Sequence, residues 1–388
     1  MFDFEMLGLA PALNAALKRS GFTDPTPIQN QAIPPAMDGH DILGLAQTGT
    51  GKTLAFGLPL VDHLLAAPGK PAPKTAKALI LAPTRELVNQ IANSLRTLTQ
   101  DTRVRVATVV GGQSINRQIG VLSRGTDILV ATPGRLIDLM DRGAVDLGQV
   151  RHLVLDEADQ MLDMGFIHAL RRIAPKLGTP RQTMLFSATM PKQMEELSRA
   201  YLTDPRRVQV APPGKAADKI TQSIHFLEKP AKQGKLREIL SQDPGALTLV
   251  FARTKHGAEK LMKGLVADGF NAASIHGNKS QGQRDRAIAA FREGRVTVLV
   301  ATDVAARGID IPGVSYVINY ELPDTPDNYV HRIGRTARAG REGEAISFCA
   351  AEEADVLRDV QRVLRMDIPV ASGTSPLAGM VANLLDAS

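Results

Sequence analysis

At 388 residues the chain exceeds what one compact core usually supports, so two domains with a cleft between them are expected. Its 44% hydrophobic and 22% charged residues belong to a soluble globular protein and exclude a disordered or fibrous one. Forty-six Lys and Arg against 40 Asp and Glu leave a formal charge of +6, which suits a polyanionic partner without requiring one. The single cysteine, Cys349, excludes an internal disulfide and sits in the apolar run Ala345 to Ala350 as a small buried hydrophobe. The eight histidines show neither HExxH nor Cys/His ligand spacing, so zinc has no support. No run approaches ~18 apolar residues, and Met1 to Ala10 has no long apolar core, so no membrane partner and a cytoplasmic protein are expected.

In chain order, Asp41 to Leu45 reads as a strand that runs into the loop Ala46-Gln47-Thr48-Gly49-Thr50-Gly51-Lys52-Thr53 and then a helix to Leu65. This is a phosphate loop. Gly49 and Gly51 let backbone N–H groups turn toward phosphate oxygens, Lys52 adds a charge, and Thr53 offers a hydroxyl to Mg²⁺. Ala46 replaces the first glycine of the general pattern, so the match is strict only over its later part.

Short apolar runs, Leu79 to Leu81, Leu153 to Leu155 and Val296 to Val300, alternate with helical patterns such as Glu86 to Leu98. That alternation predicts an α/β fold of parallel sheets covered by helices on both faces, with ligands beyond the carboxyl ends of the strands. An internal echo divides the chain. Ala78 to Arg85 (ALILAPTR) resembles Ala246 to Lys255 (ALTLVFARTK), and Asp127 to Thr132 (DILVAT) resembles Val298 to Thr302 (VLVAT). Thr84 and Thr132 are 48 positions apart, as are Thr254 and Thr302, so one fold is used twice. The aperiodic stretch Asp204 to Lys219 marks a linker, placed at 209–218 between domains at 1–208 and 219–370, with a short tail at 371–388.

Arg151 to Leu155 is a second strand, ending in Asp156-Glu157-Ala158-Asp159. Neighbouring strand residues face opposite ways, so Asp156 can hold Mg²⁺, directly or through water, while Glu157 orients and deprotonates an attacking water. Without the phosphate loop, the same acids read equally well as a helix N-terminus. His331-Arg-Ile-Gly-Arg-Thr-Ala-Arg338 puts His331, Arg335 and Arg338 at i, i+4 and i+7, on one predicted helical face. Arg335 and Arg338 would stabilise the charge that grows on a phosphoryl group, and their place in the second half makes hydrolysis depend on domain closure.

Together these motifs resemble the DEAD-box RNA helicases of superfamily 2, and are similar to the bacterial RhlE-type group, over about Phe4 to Ala350. The resemblance implies two tandem RecA-like domains, ATP and Mg²⁺ as cofactors, and an RNA-dependent ATPase that unwinds short duplexes or remodels RNA–protein complexes. Gly21-Phe22-Thr-Asp-Pro-Thr26-Pro-Ile-Gln29 is similar to the family's Q motif, where Phe22 would stack on adenine and Gln29 read its edge, with Thr26 beside them. Ser187-Ala-Thr189 matches the motif that couples the nucleotide site to strand separation, with Asp159 and His331 in the same role. Thr302-Asp-Val-Ala-Ala-Arg-Gly308-Ile-Asp310 implies a ribose contact from Asp310, with Gly308 nearby. For RNA, the resemblance points to Pro83, Thr84, Arg85, Gly111, Gly112, Thr132 and Arg135 in the first half, and to Arg253, Thr254, Gly277, Gln281, Arg284 and Thr302 in the second. Hydroxyls, arginines and glycine backbones suit sequence-independent phosphate and sugar contacts. Ribosome-assembly or RNA-decay proteins are further partner classes. Three rivals stay open: a DNA-directed helicase of the same superfamily, an ATP-gated RNA clamp that serves as a scaffold, and a small-molecule P-loop kinase.

Overall fold

A computed structural model describes residues 3–47, 49–67, 69–210, 220–306, 311, 313–337 and 342–375. The chain divides into two compact units at residues 210/211. The first contains β1 (Ile42–Leu45), β2 (Ala76–Leu81), β3 (Val106–Val109), β4 (Thr126–Ala131), β5 (His152–Leu155), β6 (Gln182–Ser187) and β7 (Arg206–Gln209). The second contains β8 (Ile220–Phe226), β9 (Leu247–Phe251), β10 (Ala272–Ile275), β11 (Val298–Ala301), β12 (Val314–Asn319), β13 (Gly343–Cys349) and β14 (Val370–Ser372). The sheet orders are β3-β4-β2-β5-β6-β1-β7 and β10-β11-β9-β12-β13-β8-β14. Position for position these are the same order, which is what the paired 48-residue spacings express.

Every strand pairing described is parallel. Parallel strands need crossover helices, and helices on both faces explain why inner strands such as β1 and β11 are apolar throughout rather than alternating. In β2, Ala78 and Ile80 join the core on one face and Leu79 and Leu81 the core on the other. In β11, Val298 and Val300 separate from Leu299 and Ala301 in the same way. With both faces buried, polar chemistry is confined to the strand ends and the loops that leave them.

Two expectations shift at the boundaries. Gln209 of the expected linker closes β7, while residues 211–218 of it lie outside the described residues. Of the expected tail, Ala371 and Ser372 belong to β14, because the edge of β8 still offers backbone partners there. Among the described residues, no helix is long and apolar enough to cross a membrane.

At the amino end of β5, His152 stacks on His63, with ring centroids 5.3 Å apart. Burial, and then the neighbouring His63, push the His152 imidazole down to about 4 from an ordinary 6.5. The folded state therefore disfavours the protonated ring, so this contribution is complete above pH 6.5 and is lost as pH falls toward 4. Urea unfolding of the first unit is expected to lose about 2 kcal/mol between pH 7.5 and pH 5 through this group. A His152→Gln variant measured in parallel should show a flatter pH profile; an identical profile would remove His152 as the cause.

Candidate active site

The phosphate loop leaves the carboxyl end of β1 in the middle of the first sheet. Gly49 and Gly51 take φ of +85° and +95°, and the helix Lys52–Ala66 begins directly after them. Lys52 is thus the first helical residue and Thr53 the second. The Lys52 side chain is almost fully buried, its Nζ 3.5 Å from Asp156 Oδ1 and without a hydrogen bond. A buried ammonium with donors unspent is suited to an incoming anion. Thr50 Oγ1 donates to Gln47 O at 2.7 Å and closes the loop on itself. Thr48 lies outside the described residues.

Asp156 and Glu157 follow β5 and are both buried. Burial pushes Asp156 up to about 6, with Lys52 pulling it down and Glu157 adding to the rise. Glu157 adopts φ +52°, a left-handed conformation that a side chain takes only when its surroundings enforce it. Its own N–H is capped by Asp156 Oδ1 at 3.0 Å. Two adjacent buried carboxyl groups therefore follow one strand end, the first of them 3.5 Å from Lys52.

The Q-motif glutamine is buried against this loop. Gln29 Oε1 accepts from Thr26 N at 2.8 Å, and Gln29 Nε2 donates to Gly51 O at 3.0 Å. A Cβ at residue 51 would lie 2.5 Å from Gln29 Nε2, so glycine is needed there for space as well as for its φ. Phe22 is 45% exposed, an aromatic left open to solvent, whereas Phe4 is in the core. The coupling residues also meet. Asp159 Oδ2 accepts from Ala188 N at 3.0 Å, Thr189 N at 2.9 Å and Thr189 Oγ1 at 3.1 Å. Ser187 Oγ donates to Thr189 O at 2.7 Å.

Farther along the same sheet edge, Thr84 caps the helix Arg85–Thr99 by accepting from Leu87 N at 3.2 Å. The Arg85 guanidinium lies over the Gly111–Gly112 turn, where a Cβ at 112 would overlap it. Arg135 Nη1 donates to Gln113 O at 3.0 Å, and Thr132 N to Val109 O at 3.1 Å. Pro83, immediately before Thr84, lies at the same edge, after β2.

In the second unit, Thr254 caps the helix Lys255–Ala267 by accepting from Gly257 N at 3.0 Å, repeating the geometry of Thr84. Gly277 follows β10, Thr302 follows β11, and Arg284 Nη2 donates to Ala305 O at 3.2 Å. Gln281 Nε2 donates to Asp285 Oδ1 at 2.9 Å. Arg253 is committed inward: Nη2 donates to Leu322 O at 3.1 Å and to Glu353 Oε1 at 2.9 Å. Gly308, Asp310 and Arg338 lie outside the described residues.

The single helical face expected for His331, Arg335 and Arg338 does not extend to Arg335. The helix Pro326–Ile333 ends at Gly334, and Ala337 takes φ +54°, so Arg335 sits in the turn that follows. Arg335 is buried there and its Nε donates to His331 O at 3.2 Å. The sequence reading passed over Arg332, which is fully buried. It forms a two-pronged ion pair with Asp303 at 2.5 and 2.7 Å, donates to Asn319 Oδ1 and Glu321 O, and stacks on Phe251. Glu353 and Lys232, also unforeseen, form a second buried pair at 2.6 Å.

Two sheets of one strand order, the first with a phosphate loop and a buried acid pair at its carboxyl edge, define a tandem RecA-like protein. The chain belongs to the DEAD/DEAH box helicase family. Residues 26–197 match the family model of the DEAD/DEAH box helicase, and residues 231–340 that of the helicase conserved C-terminal domain. It is 44% identical over 368 residues to the ATP-dependent RNA helicase CshA of Limosilactobacillus reuteri, covering 94% of this chain and 72% of that one. The structure of S. cerevisiae Dbp5 bound to RNA and ADP BeF3 is similar with a TM-score of 0.84 at 32% identity, covering 99% of this chain and 98% of that one. A DEAD box protein from the hyperthermophile Methanococcus jannaschii matches with a TM-score of 0.55 at 36% identity, covering 95% and 99% of the two chains.

Replacing Asp159 by Ala would strand the backbone N–H groups of Gln160, Ala188 and Thr189 and the Thr189 hydroxyl. A loss of about 2–3 kcal/mol is expected for unfolding of the first unit, read by urea denaturation; an unchanged midpoint would mean that the 188–189 turn is held by something else.

Proposed function

We propose that the protein is an RNA-dependent ATPase that unwinds short RNA duplexes or remodels RNA–protein complexes, hydrolysing ATP to ADP and phosphate. The observation that carries this reading is the buried Lys52 beside Asp156, with the buried Glu157 directly after it at the end of β5. ATP lies with its phosphates over the loop Gln47 to Thr53, held by backbone N–H groups and by Lys52. Phe22 stacks on adenine, and Gln29, with Thr26, reads the adenine edge from its post on Gly51 O.

Mg²⁺ fits the donors present. Among the described residues no group of three or more His, Cys, Asp or Glu could hold a metal, whereas Mg²⁺ is usually taken by one or two carboxylates together with phosphate oxygens. Thr53 and Asp156 would hold it, and the ion would supply charge neutralisation at the phosphates. Glu157 orients the attacking water and receives its proton. Arg335 and Arg338 neutralise charge on the transferred phosphoryl group once the second unit meets the nucleotide, and Gly308 and Asp310 hold the ribose side.

RNA lies along Pro83, Thr84, Arg85, Gly111, Gly112, Thr132 and Arg135 in the first unit, and Arg253, Thr254, Gly277, Gln281, Arg284 and Thr302 in the second. Backbone contacts of this kind carry no sequence preference. Asp159, Ser187, Thr189 and His331 transmit the state of the nucleotide to that grip, and the three bonds converging on Asp159 support this for the first unit. The RhlE-type placement, a cytoplasmic site of action and protein partners in ribosome assembly or RNA decay complete the reading, on the sequence resemblance alone.

ATP turnover measured without nucleic acid, with single-stranded RNA, with structured RNA and with DNA separates the alternatives. RNA is expected to stimulate turnover, and its affinity to fall steeply with salt; equal rates with and without RNA would overturn the coupling, and DNA as the better stimulant would favour a DNA-directed enzyme. Glu157→Gln is expected to bind ATP normally and turn over about 10²-fold or more slowly, read by equilibrium binding and phosphate release. A wild-type rate would remove Glu157 as the base.

A further inference from the structure

The identical strand order allows the two units to be compared position by position. β8 corresponds to β1, and each is followed by a short loop and a helix that opens with a lysine: Lys52 in the first unit, Lys232 in the helix Lys232–Gln242 of the second. Both lysines are buried. Their anions differ. Lys52 stands 3.5 Å from Asp156 without a hydrogen bond, whereas Lys232 Nζ is engaged, donating to Glu353 Oε2 at 2.6 Å and to Phe348 O at 3.3 Å.

Glu353, in the turn after β13, is itself buried and fully used. Its Oε2 also accepts from Ala350 N at 2.9 Å, and its Oε1 accepts from Leu322 N at 3.0 Å and from Arg253 Nη2 at 2.9 Å. One carboxylate thus satisfies Lys232 from within the chain, and its far oxygen grips an arginine just after β9. Arg253 is further tied by its N–H to Glu321 Oε2 at 2.7 Å and by Nη2 to Leu322 O, while Nη1 takes no part in these bonds. Its side chain is 38% exposed. One edge of the guanidinium is thus held by Leu322 O and Glu353, and its Nε lies 3.5 Å from the exposed Asp324 Oδ1.

We infer that Glu353, neutralised by Lys232, is a positioning residue for RNA binding: it holds the Arg253 guanidinium by one edge so that the other is presented to a phosphate of the RNA backbone. Lys232 pairs with the buried carboxylate, Glu353 fixes the fork, and Arg253 makes the contact. This rests on the proposed RNA grip of the second unit. A fixed planar fork loses less freedom on binding than a mobile cation, so the arrangement contributes orientation rather than added charge.

The test is a cycle of variants with affinity for single-stranded RNA, and its dependence on salt, as readouts. Arg253→Ala and the paired Lys232→Met/Glu353→Gln, which removes both buried charges together, are each expected to weaken binding about tenfold. Each should also lower the slope of log affinity against log salt by about 0.7, the share of one phosphate on a single strand. Combining all three changes should add little to either. If Arg253→Ala exerts its whole effect again in the paired background, or if the paired variant binds RNA as the wild type does, Glu353 does not act through Arg253. Loss of RNA stimulation in none of the variants, with Arg253→Ala binding normally, would instead remove Arg253 from the grip, and the positioning role with it. Arg253→Lys guards against a paired variant that does not fold, because lysine keeps the charge but cannot span Leu322 O and Glu353 at once. It should bind as weakly as Arg253→Ala, and wild-type binding would overturn the inference.

Discussion

A buried lysine opening a helix and facing a buried carboxylate organises both halves of this protein. Burying an ammonium is unfavourable unless an anion accompanies it, and burying the carboxylate is unfavourable for the same reason. In the first unit the two are 3.5 Å apart and Asp156 is pushed up to about 6, a sign that Lys52 alone does not satisfy it. In the second unit Lys232 and Glu353 close to 2.6 Å with backbone donors around them. One lysine keeps its donors unspent; the other is satisfied from within the chain.

The sheets put these pairs where they are. Because the described strands are parallel and the inner ones are buried on both faces, most of the polar chemistry falls to the loops that leave their carboxyl ends. The threonines at 84 and 254 show the economy of this arrangement. Each terminates a strand, caps the next helix with its hydroxyl, and stands at an edge where further hydroxyl and guanidinium groups gather.

Much of this was legible in the residues. The 48-position spacing carried the doubled topology, and strand, loop and helix in order located Lys52 and Thr53 without any coordinates. Motif likeness named Asp159 and the 187–189 turn, but only folding shows that one carboxylate collects three donors there. The arginine run was misread for a physical reason. Spacing alone continues a helix indefinitely, whereas Gly334 and the left-handed Ala337 break it, and the glycine was a stop signal in plain view. Arg332 and Glu353 carried no local signal. Their partners lie 29 and 121 positions away, and a charged residue flanked by apolar ones reads as surface until its counter-charge is found.

Glu157 holds a backbone shape that suits glycine or asparagine better than glutamate. At this position, firmness of the fold and speed of turnover are set against each other. Selection of randomised codons for heat resistance alone would be drawn toward glycine or asparagine, while selection for phosphate release would drive the acid back.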